Sequence, residues 1–146
     1  MEKTSLSAYL YGKNILLLPV ICIDNGPLKL SEPIIVLKNS SVGEKLIDEL
    51  ILFRKNWDTL KEEYRPGYKT LLKVSGARSQ KNLVSKGKLL SIRYDDSSLC
   101  LKLMKSNPSK KSFYSETSEP DVIIEDYLNH QNDVITKVKC LLAIDN

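Results

Sequence analysis

Apolar and polar positions alternate along Thr4–Tyr11 (TSLSAYLY), as expected of a strand with one face buried. Gly12-Lys13-Asn14 is turn material. Ile15 to Ile23 is a second apolar run, and its Pro19 points to an edge strand or a bulge. Together the two segments predict an N-terminal hairpin, followed by a turn at Asp24-Asn25-Gly26-Pro27. Ile34-Ile35-Val36-Leu37 is β-branched and short, which fits a buried strand and is too brief for a helix. Asn39-Ser40-Ser41 ends that run, and Ser41 followed by Glu44 has the spacing of a capping box. Leu46, Ile47, Leu50, Ile51, Phe53 and Trp57 then recur at three- and four-residue steps. That spacing predicts a helix over 42–56 with one broad apolar face.

Beyond Trp57 the chain becomes polar and basic. Lys61–Tyr68 (KEEYRPGY) predicts an exposed loop, Thr70–Val74 fits either a helical turn or a short strand, and Lys81–Val84 a brief helix. Leu89–Tyr94 and Leu99–Met104, joined through Asp95-Asp96-Ser97-Ser98, predict a second hairpin, and Phe113-Tyr114 a short strand after it. Near the C-terminus two patterns overlap. Val122-Ile123-Ile124 suits a strand, yet Ile124, Tyr127, Leu128, Val134, Ile135, Val138, Leu141 and Leu142 also hold helical spacing, with Ser118 as cap and Pro120 in the first turn. Both agree on a helix from about Asn132. Ser118-Glu119-Pro120 repeats Ser31-Glu32-Pro33, and Val134, Ile135 and Val138 stand where Leu46, Ile47 and Leu50 stood, which raises an internal duplication. The expected architecture is α+β: a single domain over 1–146, with a mixed or mainly antiparallel sheet built from hairpins and helices 42–56 and about 132–143 packed on it.

With 146 residues, 42% hydrophobic and 27% charged, the chain can bury a core without disulfides or metal. The N-terminus has no basic-then-apolar signal, and the longest apolar run is interrupted by Pro19 and too short to span a bilayer. The expectation is a cytoplasmic protein without a membrane partner. Cys22, Cys100 and Cys140 form no C-x-x-C pair and are expected to act as small buried hydrophobes.

The net charge of +4 conceals a division. From Ile51 to Arg93, eleven Lys or Arg face only Asp58, Glu62 and Glu63. From Ser112 to Ile135 there is no Lys or Arg, against Glu116, Glu119, Asp121, Glu125, Asp126 and Asp133. Such asymmetry speaks of partners. The basic region, with Trp57, Tyr64 and Tyr68 among its cations, is a candidate nucleic-acid surface, although no binding motif accompanies it and Trp57 continues the apolar helix stripe. The acidic stretch invites the opposite reading, a surface that imitates nucleic-acid charge and covers a basic site on another protein.

Catalytic chemistry finds little support. His130 is the lone histidine and has no visible nucleophile around it; Glu62-Glu63 and Asp95-Asp96 are adjacent pairs whose side chains diverge on regular elements. No phosphate-binding glycine loop or G-x-S-x-G is present. The sequence calls for no metal and no cofactor.

The order of these features resembles a known family. SLSAYLY leading into an apolar strand, SQKNLVSKGKLLSIRY leading into a D-D-turn hairpin, and strand–helix units ending VGEKLIDELILF and VITKVKCLLAI are similar to the immunity proteins of bacterial contact-dependent growth inhibition. Val42-Gly43-Glu44 matches that family's small-residue helix start, and Asn132-Asp133-Val134 departs from it. The resemblance implies a non-enzymatic protein that binds and blocks the C-terminal toxin domain, commonly a nuclease, delivered by a neighbouring cell. The family's motifs assign no contact residues. Charge and exposure nominate Glu116, Glu119, Asp121, Glu125 and Asp126, with Asp95, Asp96 and Tyr114 as neighbours. Nucleic-acid binding through 51–93 is the alternative, and a homodimer stays open.

Overall fold

The computed structural model describes residues 2–23, 25–107, 114–115, 117 and 120–144. Strands β1 (Thr4–Tyr11) and β2 (Asn14–Cys22) form the expected hairpin, and Gly12 supplies the positive φ of +61° that its two-residue turn requires. Two short strands follow, β3 (Leu28–Leu30) and β4 (Ile35–Lys38), and both pair with β2. Pro19 therefore lies inside the sheet, where an edge or bulge was expected. It falls between the stretch of β2 held by β4 and the stretch held by β3, so its missing N–H leaves no ladder bond unmade; its carbonyl accepts from the Ser31 amide at 2.9 Å.

Helix α1 (Glu44–Lys55) starts from Gly43, and no side chain caps it. Gly43 takes the N-cap position expected of Ser41, because residues 39–41 form a separate 3-10 turn, which the amide of buried Val42 closes onto the Asn39 carbonyl. The basic middle is more helical than its sequence suggests: α2 (Trp57–Glu62), α3 (Tyr68–Ser75) and α4 (Gln80–Lys86), the last capped by the Ser79 hydroxyl. The loop anticipated from Lys61 begins only after Glu62. The second hairpin, β5 (Lys88–Tyr94) and β6 (Ser98–Ser106), is followed by β7 (Tyr114–Ser115) and β8 (Val122–Glu125). Residues 122–125 thus settle as a strand and not as the alternative helix, whose expected cap, Ser118, lies outside the described residues. The chain then makes a 3-10 turn over Tyr127–Asn129 and ends in α5 (Gln131–Leu142).

Among the described residues all strand pairings are antiparallel, in the order β3-β2-β1-β5-β6-β7, with β4 also on β2 and β8 also on β6. The fold is α+β. One face packs Leu6, Ala8, Ile15, Leu17, Leu90, Ile92, Tyr94, Leu99 and Leu101 against Leu46, Ile47 and Leu50 of α1 and Val134, Val138 and Leu142 of α5. The other carries a smaller cluster, Tyr9, Leu16, Leu18 and Leu89, under Leu71 of α3 and Leu83 of α4. Among the described residues no helix is long and apolar enough to cross a membrane.

The pairing pattern repeats itself. In the β1–β5 ladder Thr4 lies opposite Tyr94 and Leu10 opposite Lys88, so Ser7 and Ser91 face each other at the centre. A two-fold exchange about that pair carries β1 onto β5 and β2 onto β6 at a constant offset of 84 residues. It carries β4 onto β8 and α1 onto α5 at 87. The suspected duplication is a structural repeat of hairpin, two short strands, 3-10 turn and helix. Helices α2–α4 lie between its halves.

Candidate functional site

The acidic residues of the second repeat meet at the turn between β5 and β6. Asp95 organises that turn: its Oδ1 accepts from the Ser97 amide (2.8 Å), the Ser98 amide (2.9 Å) and the Ser97 hydroxyl (3.0 Å). Those donors, the Ser98 amide foremost, hold its carboxyl down at about pKa 2. The Asp95 carbonyl accepts from the buried Tyr127 hydroxyl at 2.8 Å, and the Asp126 amide donates to the Ser97 carbonyl at 2.6 Å. The end of β8 and the turn leading into α5 are thereby tied to the hairpin. Asp126 adopts a positive φ of 51° and accepts from Asn129 Nδ2. Glu125 stands opposite Ser98. Four of the nominated residues, Asp95, Asp96, Glu125 and Asp126, are therefore gathered at one end of the sheet.

A cation from another element is built into the same end. Arg54, near the C-terminus of α1, donates Nε to Asp96 at 3.0 Å and Nη1 to the Glu2 carbonyl (2.8 Å) and Thr4 Oγ1 (3.2 Å). Lys61 pairs with Glu2 and with Asp58. Beside these pairs lies an open depression of about 360 Å³ lined by Glu2, Arg54, Lys55, Trp57, Asp58 and Asp96. Trp57 is buried there, and its indole N–H has no hydrogen-bond partner. The sequence did not single out Arg54 or Glu2; they come together only through the β1–β5 ladder and the docking of α1.

Asp121 lies at the far end of β8. Its carboxylate pairs with Lys102 at 3.1 Å and accepts from Cys100 Sγ at 3.4 Å, and the Lys102 contact, followed by Cys100, lowers its pKa. Burial, followed by the Asp121 contact, raises that of the Cys100 thiol. Tyr114 is no neighbour of the acidic end. It pairs opposite Ser106, eight residues along β6 from Ser98 and hence about 27 Å away, and its ring meets Tyr9 edge-on at 6.0 Å in the smaller cluster. Glu116 and Glu119 lie outside the described residues. Cys22 and Cys140 are exposed and Cys100 half-buried, so the expectation of three core thiols fails. Cys140 lies on the outer side of α5, whereas Val134, Val138 and Leu142 take its inner face.

Among the described residues no group of His, Cys, Asp and Glu is arranged to hold a metal. His130 is exposed at the start of α5, with Nδ1 3.0 Å from the Asp126 carbonyl. In the basic region, Lys69 and Lys73 on α3, Arg78, and Lys81 and Lys86 on α4 are solvent-facing, but Trp57 is buried and Tyr64 and Tyr68 are half-buried. The cations there lack the exposed aromatic faces on which bases stack. What the acidic end offers chemically is recognition: fixed carboxylates on a hydrogen-bonded turn, with one guanidinium at its flank.

Comparison with known proteins extends the fold and not the chemistry. No family model matches the chain, and no curated protein does. Among solved structures it is similar to a protein of unknown function from Neisseria meningitidis, with a TM-score of 0.61 and 13% identity, covering 97% of this chain and 94% of that one. At that identity the likeness concerns the fold alone.

Proposed function

We propose that this protein is an immunity protein that binds a cognate toxin domain and blocks it by occupying its surface. The reading joins the resemblance noted in the sequence to one observation, the gathering of Asp95, Asp96, Glu125 and Asp126 on a single hydrogen-bonded end. A nuclease holds phosphates with cations, and carboxylates presented at fixed positions compete for those cations. Rigidity supports the reading, because a surface ordered before binding spends little free energy on ordering itself.

The test is co-expression with the toxin domain encoded by the neighbouring reading frame. The parent chain is expected to restore growth and to form a one-to-one complex. Asp96→Lys with Asp126→Lys is expected to slow association about tenfold at low salt, with a smaller effect at high salt. Unchanged association rate and salt dependence in that double variant would refute the acidic-end reading.

A further inference from the structure

Between Glu63 and Asp95 the chain carries eight Lys or Arg and no acidic residue. Five of those cations belong to the layer formed by α3 and α4: Lys69 and Lys73 on α3, Arg78 in the connection, and Lys81 and Lys86 on α4. All five are exposed. Among the described residues none of the five has an ion-pair partner, whereas Arg54, Lys61 and Lys102 each have one.

The two helices that carry these cations are fixed from beneath. Leu71 and Leu83 are buried over Tyr9, Leu16 and Leu18. The Thr70 hydroxyl donates to Glu32 at 2.7 Å, and the Tyr11 hydroxyl donates to Asn82 Oδ1 at 2.6 Å. Gly76, at a positive φ of 79°, ends α3, and the Ser79 hydroxyl caps α4. The apolar side of each helix is thus used on the sheet, and the outer side presents charge of one sign.

The density of that charge matches a phosphate backbone. With 8 residues, α3 is about 12 Å long. A duplex carries one phosphate charge per about 1.7 Å of its axis, hence about seven over that length, and five cations serve the side that faces the protein. A single strand is served less well, because it needs exposed rings on which to stack, and Tyr64 and Tyr68 are half-buried. An anionic bilayer is also served less well. Val74, 41% exposed, is the one exposed large apolar side chain on these two helices, too little to enter a membrane. The acidic end does not cancel this field. Helix α4 leads into the first residue of β5, Lys88, and Asp95 follows its last, Tyr94, so the two lie about 20 Å apart. That distance is about two Debye lengths at 0.1 M salt.

We infer that the outer side of α3 and α4 binds double-stranded nucleic acid along its phosphate backbone, without reading sequence. This activity goes beyond the immunity function and does not rest on it.

The experiment titrates the full chain onto a fluorescent duplex of about 20 base pairs, read by anisotropy, at salt from about 50 to 200 mM. With all five cations engaged, log K is expected to fall against log salt with a slope of about −4.5, which is a loss of about 500-fold over that range. Lys69→Gln with Lys73→Gln is expected to reduce the slope by about 2, while thermal unfolding of the free chain stays unchanged. Lys45→Gln with Lys55→Gln removes the same charge from α1, on the other face of the sheet, and is expected to leave the slope as it was. No binding at the lowest salt, or an equal loss of slope in both double variants, overturns the inference. So does binding that is tighter to single strands, to polyglutamate or to phosphatidylserine vesicles than to the duplex, which would assign the layer to another polyanion. Toxin neutralisation is not read by this assay, so failure here leaves the immunity function standing.

Discussion

Replacing Asp95 by Asn removes one charge while leaving an acceptor where Oδ1 now takes three hydrogen bonds. In the folded chain this carboxyl lies at about 2, against an ordinary value of 3.8. A shift of that size corresponds to about 2.5 kcal/mol at full strength. The turn is close to solvent, and screening reduces the effect to about 1 kcal/mol. The sign follows from linkage. A folded-state pKa below the unfolded one contributes stability that is fully present above about pH 4 and is lost as pH falls toward 2. The Asn variant is therefore expected to be about 1 kcal/mol less stable at pH 7, or about 2–4 °C lower in Tm for a chain of this size. Near pH 2 the two proteins should converge. Urea unfolding followed by tyrosine and tryptophan fluorescence at pH 7, 4 and 2.5 measures the difference directly. Equal stability at pH 7, or a gap that persists undiminished at the lowest pH, would refute the assignment of Asp95 as the ionised organiser of the turn.

Two further changes probe the frame that carries this end. Tyr94→Phe removes the hydrogen bond from a fully buried hydroxyl to the Leu50 carbonyl, 2.5 Å away, which links β5 to α1; it is expected to cost about 1 kcal/mol in denaturant unfolding, with native circular dichroism retained. Gly67→Ala would bring a methyl carbon to 2.9 Å from the Ser31 carbonyl carbon, at the close crossing that leads into α3. It is expected to destabilise by about 1–3 kcal/mol, and a neutral result would show that the Ser31 segment yields.

Much of this frame was legible because its signals were local. Thr4–Tyr11 alternates, Leu46, Ile47, Leu50 and Phe53 recur at helical steps, and the Asp95–Ser98 turn joins two clear strands; each appears where its pattern puts it. The C-terminal ambiguity has a definite cause. Ile124, Tyr127 and Val134 keep helical spacing, yet they belong in turn to a strand, a 3-10 turn and a helix, and all three point into one core. Asp126, at positive φ, breaks the chain between strand and turn, and nothing in its local sequence announces that conformation. Helices α2–α4 are six to eight residues long, too short for periodicity to declare them. The site was half-legible. Charge counting found the carboxylates of 95–96 and 121–126, but it took Arg54 only as one of the basic residues of 51–93 and did not find Glu2. Their place depends on the β1–β5 ladder, which joins residues more than seventy positions apart.

That ladder also sets the two repeats side by side about Ser7 and Ser91. Both halves have the same pairings, and each sends a helix to the common core, so neither can give up its apolar inner face. They differ on the outer face, where α3 and α4 cover Tyr9, Leu16 and Leu18 while no described helix packs over Arg93, Cys100 and Lys102. The acidic turn closes one end of the second repeat, where Glu125 stands opposite Ser98. Asp96 and Asp126 are exposed at the tip, so in the proposed complex their field would reach the partner before contact and govern the rate of association. A tip variant that changed only the off-rate would refute that role and place the first encounter elsewhere on the surface.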